Sequence, residues 1–404
     1  MNEKKIVVSG VGCCLLDRIF NGVDFSSPIF GKYLSKALSD GGLVPGRLEF
    51  EEEFERFAGK KFPAILQELT EGRLADCKNI GGPCIVGLIN AAQLTYDMSD
   101  VRYYGCYGDD EAGMQLLELL KKTPVNITHY RQEPNSETPS TSVLSDPDYD
   151  NGHGERTFIN TIGAAWKFFP DEIDEEFFQS DICVYGATAL VPTIHHKLDT
   201  LIPKAKEKGA LVVVTTVYDN INERKQLERW PLGDTDDSYR YTDLLVVDKE
   251  ESLRLSGKTT IEDALQFFFE KGVGAAIVTN GAENVSYYAN SELFGNTAGI
   301  SSLPVSSAVG EELKKGHKGD TTGCGDNFAG GVLASLVMQM HQGSEQFNIV
   351  EACKWGIVSG GFTCFQFGGT YFESHSGEKL GKIRPYYEAY CEQIGEPSPQ
   401  SHGI

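Results

Sequence analysis

Short runs of β-branched, apolar residues alternate with amphipathic stretches along most of this 404-residue chain. We predict central strands at 5–9, 101–106, 182–185, 211–215, 244–247 and 275–279, and helices at 86–94, 113–122, 194–208, 261–271 and 327–340. Continuous apolar runs are typical of strands that helices cover on both faces, as in parallel sheets. The alternation therefore predicts an α/β fold, a three-layer α/β/α sandwich with a mainly parallel central sheet.

Two stretches depart from this pattern. Residues 18–75 are rich in Glu, Phe and Gly, and residues 130–163 alternate polar with β-branched residues around a loop of Asp, Gly and His. Alternation of this kind is typical of strands with one exposed face. We therefore predict a small antiparallel β lid from about 18–75 and 130–163, within a single domain of residues 1–394. The Pro-Ser-Pro segment predicts a flexible tail over 395–404.

The charge balance limits the kinds of partner. Asp and Glu total 58 against 36 Lys and Arg, a net charge of −22. This argues against nucleic-acid binding, because phosphate contacts need clustered basic residues. An apolar content of 40% is enough for a large core and argues against wholesale disorder. The ten cysteines form no CxxC pair, so neither a zinc ribbon nor a thioredoxin-like redox site is predicted.

The N-terminus admits two interpretations. Residues 4–13 could act as a short signal peptide that ends in a lipoprotein-like cysteine. Alternatively, residues 6–9 form the first buried strand and run into a turn at 10–12, which we favour because the apolar run is short. No apolar run approaches the ~20 residues of a membrane span. We therefore expect a cytoplasmic protein with no membrane partner.

The most informative segment is GDTTGCGDNFAGG at residues 319–331. A Gly-rich turn there runs directly into a predicted helix. The amides at 323–325 can point at an anion, and the helix dipole adds partial positive charge at the same place. Asp326 sits at the start of this helix, where it could serve as an N-cap or as a base that accepts a proton during phosphoryl transfer.

Other phosphate-binding motifs are missing. The chain contains no GxxxxGK[ST] segment, which excludes a Walker P-loop. Its nearest approach to GxGxxG, at residues 272–277, lacks the last glycine and precedes a predicted strand instead of following one. Dinucleotide binding of the Rossmann kind is therefore not predicted.

The segment DTTGCGDNFAGG closely resembles the second signature of the PfkB/ribokinase family of carbohydrate kinases, usually DTTGAGDxFxxG. The resemblance implies a ribokinase-like fold with Asp326 as the catalytic base. It also implies that Gly323, Cys324 and Gly325 form the anion hole and that Thr322 contacts the nucleotide.

Other segments resemble the family in the same order along the chain. Asp17 follows a Gly-Val-Gly segment with the spacing seen in adenosine kinases, which implies a contact with substrate hydroxyls. Gly81 and Gly82 are similar to the paired glycines of the first signature, which let the backbone approach the substrate. Residues 154–158, GERTF, resemble the family's GeRtf strand, so Arg156 is a candidate substrate or phosphate contact.

The nucleotide and metal positions follow from two further matches. Asp248 and Glu251 lie where the family has NxxE, a motif linked to the water shell of Mg²⁺. Thr279 and Gly281 lie where the family has a TxG turn near the nucleotide. These matches imply ATP and Mg²⁺ as cofactors.

Departures from the family pattern concern substrate recognition. Val86 stands where the first signature has Asn, and Asp248 replaces the Asn of NxxE. The family's DxNxR segment is missing after the predicted strand at 211–215, and no Asn is evident within 355–362. The reaction class is therefore better supported than any particular substrate.

The resemblance implies an ATP-dependent phosphotransferase that acts on an alcohol group of a sugar or related polyol. A nucleoside kinase of the adenosine type, or a non-catalytic sugar- or nucleotide-binding protein of the same fold, are the alternatives. A small molecule is the expected partner, and the family also admits a homodimer through the lid. The thiol of Cys324 lies among helix-terminal amides, where a lowered pKa would make it sensitive to peroxide.

Overall fold

A computed structural model describes residues 4–37, 40–152, 154–225, 227–316 and 319–396. Residues 397–404 of the predicted tail lie outside the described residues. The strands are β1 (Ile6–Gly12), β2 (Leu15–Asn21), β3 (Leu48–Phe50), β4 (Cys77–Gly81), β5 (Ser99–Gly108), β6 (Tyr130–Glu133), β7 (Ser140–Asp146), β8 (Glu155–Thr161), β9 (Ile182–Gly186), β10 (Leu211–Thr215), β11 (Leu244–Asp248), β12 (Ala275–Thr279), β13 (Val285–Ser291), β14 (Gly295–Asn296) and β15 (Ser301–Leu303).

The helices alternate with these strands over most of the chain. They are α1 (Pro28–Gly31), α2 (Glu51–Ala58), α3 (Phe62–Leu69), α4 (Pro83–Leu94), α5 (Glu111–Leu120), α6 (Tyr149–Gly152), α7 (Glu175–Phe178), α8 (Pro192–His195), α9 (Leu198–Glu207), α10 (Asn220–Arg224), α11 (Asp237–Arg240), α12 (Lys249–Ser256), α13 (Ile261–Glu270), α14 (Ser307–Lys314), α15 (Cys324–His341), α16 (Ile349–Thr363) and α17 (Glu378–Ile394). No helix among the described residues is long and apolar enough to cross a membrane.

The central sheet has the strand order β14-β13-β12-β11-β10-β9-β1-β5-β6, with β15 paired to β13. Every pairing from β12 across to β6 is parallel, and β13 runs antiparallel to β12. Each predicted central strand is present with bounds close to those expected. The first strand continues through Gly12, where we had expected a turn, because residues 10–12 stay in register with β9.

Helices cover both faces of this sheet. In β9, Ile182 and Val184 pack into the layer that contains α4, α15, α16 and α17. Cys183 and Tyr185 point to the other side, among the apolar residues of α9 and α13. Because successive side chains of a strand alternate between faces, strands that are buried on both sides need continuous apolar runs. The predicted three-layer sandwich is confirmed.

A second, five-stranded sheet of order β3-β8-β7-β2-β4 forms the lid. The lid is mixed and not antiparallel as predicted, because β2 pairs parallel with β7 and β3 pairs parallel with β8. It also starts earlier than predicted, at Leu15, and includes β4. Residues 130–133, which we assigned to the lid, instead extend the central sheet by pairing with β5.

The long segment between β2 and β4 covers the outer face of the lid. Phe20, Leu144 and Ile159 lie on that face and pack with Phe54 of α2 and Ile65 of α3 in one apolar cluster. The opposite face of the lid therefore remains available to the cleft between lid and sandwich.

Candidate active site

Helix α15 begins at a tight glycine turn. Its N-cap, Gly323, has φ +76°, a left-handed conformation that favours glycine. A Cβ at this position would lie 2.5 Å from the Cα of Gly369. The first helical hydrogen bond runs from the amide of Asn327 to the carbonyl of Gly323, at 2.9 Å. The amides that precede Asn327 in this turn make no hydrogen bond within the helix, so they can bind an anion.

One of the predicted anion-hole amides already has a hydrogen-bond partner within the turn. The amide of Cys324 donates to the carbonyl oxygen of Thr321 at 3.3 Å, which is long for a hydrogen bond between an amide and a carbonyl. An anion at this turn would compete with a weak internal partner. The segment can therefore bind an anion at little energetic cost.

Close helix contacts fix the position of α15. A Cβ on Gly330 would lie 2.4 Å from the carbonyl oxygen of Gly87 in α4. A Cβ on Gly331 would lie 2.3 Å from the carbonyl oxygen of Trp355 in α16. Glycines at these positions let α15 approach both neighbouring helices, and this packing orients the first turn of α15 toward the cleft.

Asp326 occupies the third position of α15, so Gly323 and not Asp326 is the N-cap. This removes the capping interpretation that the sequence left open. Burial of the carboxyl raises its pKa to about 7, since desolvation penalises the charged form. A carboxyl group with this pKa can accept a proton and later release it near neutral pH.

Asp17 lies on the cleft face of the lid. It is only 5% exposed, and its pKa is raised to about 7, chiefly by burial and then by the charges of Asp326 and Asp320. Its neighbours in register are Asn79 on β4 and Thr141 on β7. Asn79 also donates to the carbonyl oxygen of Thr370 at 3.3 Å, next to Gly369, which packs against the Gly323 turn. Asp17 and Asp326, 309 positions apart in the chain, therefore lie at the same cleft.

Two further polar residues extend this row, and the sequence interpretation missed both. Asn160 of β8 pairs in register with Thr141, whose hydroxyl donates to the Asn160 Oδ1 atom at 2.7 Å. Both side chains are buried. Alternation of residue types in 140–146 and 155–161 was their only sequence signal, and it did not indicate which face would meet the cleft.

Both predicted glycines have a steric reason for being glycine. A Cβ on Gly81 would lie 2.1 Å from Oδ2 of Asp17, so any larger residue would displace that carboxylate. Gly82 has φ +100°, and its Cβ would lie 2.7 Å from the carbonyl oxygen of Cys13. The glycine pair therefore makes room for Asp17 and for the connection from β1 to β2.

Arg156 of β8 connects the lid to the glycine turn that precedes α15. Its Nη2 donates to the hydroxyl of Thr321 at 2.6 Å, and its Nη1 donates to the hydroxyl of Thr322. Nη1 also lies 3.8 Å from Oδ1 of Asp320. A guanidinium group from the lid is thus held beside the anion-binding turn, where it adds positive charge.

Four of the five residues predicted to lie near the nucleotide or metal meet at one edge of the central sheet; the fifth, Thr322, lies on the turn before α15. Asp248 ends β11 and stands opposite Thr279, which ends the parallel strand β12. Asp248, Thr279 and Gly281 line a surface cleft together with Lys249 and Asn280. A crevice outside the carboxyl ends of parallel strands is a common ligand position in α/β proteins.

Asp248 and Glu251 have a structural role that the sequence pattern did not show. Asp248 caps α12 by accepting from the amide of Glu251 at 2.7 Å, and Glu251 accepts from the amide of Asp248 at 3.3 Å. Burial, followed by the charge of Asp248, raises the pKa of Glu251 to about 8, with a smaller contribution from Asp326. This contribution links Asp326 electrostatically to the pair of Asp248 and Glu251.

The same two carboxyl groups fit an indirect magnesium site. Among the described residues, no cluster of three His, Cys, Asp or Glu side chains could hold a metal by itself. Mg²⁺ commonly uses one or two carboxylates together with water and substrate phosphates. The charge of Asp248 is the second cause of the raised pKa at Glu251, after burial, and a divalent cation beside the pair would offset that charge.

Cys324 has a partner that the sequence did not predict. Its Sγ lies 3.3 Å from the Sγ of Cys364, at the C-terminus of α16. The contact between the two thiols, together with burial, raises the pKa of Cys324, and the same contact lowers the pKa of Cys364. The expectation of a lowered pKa at Cys324 is therefore wrong, and Cys364 is the thiol of the pair with the lowered pKa.

Three known proteins are similar to this chain. Probable fructokinase-7 of Arabidopsis thaliana is 25% identical over 278 residues, which cover 66% of this chain and 73% of that protein. An adenosine kinase structure from Sinorhizobium meliloti has a TM-score of 0.66 at 16% identity, covering 94% of this chain and 100% of its own. A putative ribokinase II from E. coli, in complex with ATP and Mg²⁺, has a TM-score of 0.62 at 17% identity, covering 95% of this chain and 99% of its own.

The two structural likenesses show the ribokinase-like fold. The family model described as pfkB family carbohydrate kinase matches residues 78–375, well over half of the chain. The matched range includes the α15 turn with Asp326, the sheet edge with Asp248 and Thr279, and Arg156. The chain therefore belongs to the pfkB family of carbohydrate kinases.

Proposed function

We propose that this kinase transfers the γ-phosphoryl group of ATP to an alcohol group of a sugar or related polyol, with Asp326 as the general base. The observation that carries the proposal is the position of Asp326. Its carboxyl group, with a pKa of about 7, lies on the first turn of α15 beside the anion-binding amides and faces the lid carboxyl of Asp17. Phosphoryl transfer needs positioning, charge stabilisation and a group that accepts the proton of the nucleophile.

The proposed reaction proceeds in one displacement. Asp326 accepts the proton of the acceptor hydroxyl while the oxygen of that hydroxyl forms a bond to the γ-phosphorus. The bond from that phosphorus to the bridging oxygen breaks, and ADP leaves with the electron pair. The amides of Gly323, Cys324 and Gly325, together with Arg156, stabilise the charge on the transferred group.

Asp248 and Glu251 would hold Mg²⁺ through water, and Thr279, Gly281 and Thr322 would contact the nucleotide. The ion supplies charge neutralisation for the phosphates when it is bound. Support for these cofactors comes from the E. coli neighbour in complex with ATP and Mg²⁺.

Asp17, Thr141 and Asn160 would bind the other hydroxyl groups of the acceptor. A carboxylate accepts hydrogen bonds from vicinal hydroxyls, and an amide and a hydroxyl can both donate and accept. Gly81 and Gly82 would keep the space around Asp17 open. The fructokinase names of the sequence relatives support a sugar as the acceptor.

A nucleoside is the second candidate acceptor, and one observation favours it. Phe367 is 56% exposed on a loop beside the acceptor side of the cleft, where its carbonyl accepts from Asn79 at 3.2 Å. Asn79 is the register neighbour of Asp17. An exposed aromatic ring there could stack on a base.

ADP release from Mg-ATP across sugars, sugar phosphates, polyols and nucleosides tests the proposal. Asp326→Asn should lower kcat by about 10²–10⁴ while nucleotide affinity stays nearly unchanged. Asp263→Asn is the matched control, since Asp263 occupies the same third position of α13, away from the cleft, and should keep wild-type kcat. Wild-type kcat in Asp326→Asn would refute the assignment of the base, and ATP binding without any turnover would favour a binding protein.

A further inference from the structure

Lys379 of α17 is a buried lysine outside the machinery described above. Its side chain is 1% exposed, and its ammonium group donates to Oδ1 of Asn327 at 2.9 Å. Lys354 of α16, a second buried lysine, instead pairs with the carboxylate of Glu351 at 2.6 Å. Glu373 lies close enough to Lys379 to oppose the effect of burial on its pKa, and it accepts from the backbone amide of Lys379 at 2.8 Å. The side-chain hydrogen bond nevertheless goes to a neutral amide, which is costly for a buried ammonium group, so this contact needs an explanation.

Asn327 connects Lys379 to the anion-binding turn. Its Nδ2 donates to the carbonyl oxygen of Gly323 at 2.9 Å and to that of Gly369 at 2.7 Å. An ammonium group has only donors, so Lys379 requires Oδ1 to face it. The amide nitrogen must then face the two glycine carbonyls. The ammonium group and the two carbonyls thus favour the same orientation of the Asn327 side chain, and Lys379 adds to the free energy that holds it there.

These two carbonyls belong to the glycines whose close contact shapes the turn before α15. Gly323 is the N-cap of α15, and Gly369 lies against it so closely that no Cβ fits at Gly323. Without Lys379, Oδ1 of Asn327 would be buried without a donor, which costs free energy. The side chain could then rotate and release both carbonyls, and the amides next to Gly323 would lose their fixed direction.

We propose that Lys379 is a positioning residue for phosphoryl transfer, acting through Asn327 to hold the Gly323 turn and its amides in place. This rests on the proposed function. Lys379 lies beyond residue 375, where the family match ends, so the signature residues do not account for it. Burial lowers the pKa of Lys379 to about 7, and the charged and neutral amines both retain an N–H that can donate to Asn327.

Kinetics of matched lysine variants test this role. Lys379→Met should lower kcat about tenfold or more and change the KM of the acceptor less than about threefold, because loose amides weaken the contacts to the transferred phosphoryl group and not those to the acceptor. Lys379→Arg keeps a donor and should recover part of the loss. Lys354→Met is the control for removing a buried lysine, and it should lower Tm but keep kcat within about twofold of wild type.

A double-mutant cycle separates the proposed route from a general loss of stability. If Lys379 acts through Asn327, Lys379→Met combined with Asn327→Ala should have nearly the kcat of Asn327→Ala alone. Additive losses would overturn the route through Asn327. A Lys379→Met protein that loses Tm but keeps kcat within about twofold of wild type would overturn the proposal itself.

A binding measurement keeps this proposal separate from the proposed function. If wild-type protein turns over no acceptor, the proposed function fails, and Lys379 is tested by the affinities for Mg-AMP-PNP and Mg-ADP. Lys379→Met should reduce the preference for the γ-phosphate analogue about tenfold. If Lys379→Met does not fold, Asn327→Ala takes its place, and wild-type kcat and nucleotide preference in that variant would overturn the proposal.

Discussion

Asp326 and Asp17 approach each other from the sandwich and the lid, and the pKa of each is raised to about 7. The main cause is burial in both cases, which destabilises the charged form. A base must be deprotonated to act, and a raised pKa makes it a better proton acceptor. If Asp326 is the base, as proposed, we expect this kinase to work at neutral pH and above.

The pH profile of kcat/KM should show this titration. Below pH 7, kcat/KM should fall about tenfold per pH unit, because the pKa of Asp326 is raised and the protonated carboxyl cannot accept a proton. Above about pH 7, it should reach a plateau. Initial rates between pH 5.5 and 8.5, with the fold checked by circular dichroism at each pH, measure this, and a constant kcat/KM from pH 5.5 to 7 would contradict it.

Oxidation should join Cys324 to Cys364. The thiolate of Cys364 attacks hydrogen peroxide to give a sulfenic acid and hydroxide, which takes up a proton from solvent to form water. The thiol of Cys324 then condenses with the sulfenic acid to give a disulfide and a second water. An Sγ separation of 3.3 Å must shorten to about 2.05 Å, which moves the anion-binding turn. We expect loss of activity that dithiothreitol reverses.

Mass spectrometry of the protein after peroxide treatment detects this disulfide as a decrease in mass of two hydrogen atoms. Cys324→Ala and Cys364→Ala should each prevent the disulfide and slow the inactivation. Cys77→Ala is the control, since Cys77 is partly exposed but belongs to the lid. An unchanged inactivation rate in Cys324→Ala would show that the pair has no part in it.

At the scale of elements, the position of α15 depends on small residues on two of its sides. Contacts with α4 and α16 leave no room for a Cβ at Gly330 or Gly331. The helix that carries Asp326 is therefore placed by glycine packing as well as by its apolar residues. Its amphipathic pattern in the sequence predicted the helix, but it did not indicate how closely the neighbouring helices approach.

Gly330→Ala should destabilise the protein by about 1–3 kcal/mol, as overpacking of a core does. The control is Gly310→Ala in α14, where a Cβ would have no atom within 4 Å. This change should be neutral or should stabilise by up to about 1 kcal/mol, because alanine favours helices. Denaturant unfolding measures both changes, and equal stability in the two variants would refute the packing argument.

At the scale of the whole molecule, Arg156 joins the lid to the sandwich. Its contacts with Thr321 and Thr322 span more than 160 residues of sequence. The outer face of the lid is covered by the chain's own apolar cluster with α2 and α3. A homodimer through the lid stays a prediction, and it would have to use the lid edges or these covering helices.

Arg156→Gln should lower kcat/KM about 10–100-fold, because it removes both the lid contact and a positive charge beside the transferred group. Arg156→Lys should recover only part of this, since one ammonium group cannot reproduce a planar guanidinium fork. Arg18→Gln is the control, because Arg18 lies next to Asp17 on β2 and so points to the opposite face. Steady-state kinetics decide, and wild-type kcat/KM in Arg156→Gln would contradict the assignment.

Features encoded by neighbouring residues were predictable from the sequence. Apolar runs and amphipathic stretches identified the central strands and the helices, because a strand or helix reflects residues within a few positions of one another. The segment at 319–331 likewise indicated an anion-binding helix start. Its resemblance to a family signature named the kinase family and proposed Asp326 as the base.

Only the tertiary structure decided which distant residues meet. Thr141 with Asn160, Arg156 with Thr321, Cys324 with Cys364 and Lys379 with Asn327 are separated by 19, 165, 40 and 52 positions. Strand pairing across the lid and helix packing bring them together, and neither leaves a periodic signal in a single sequence. The raised pKa values have the same origin, because burial depends on what the rest of the chain places around a carboxyl group.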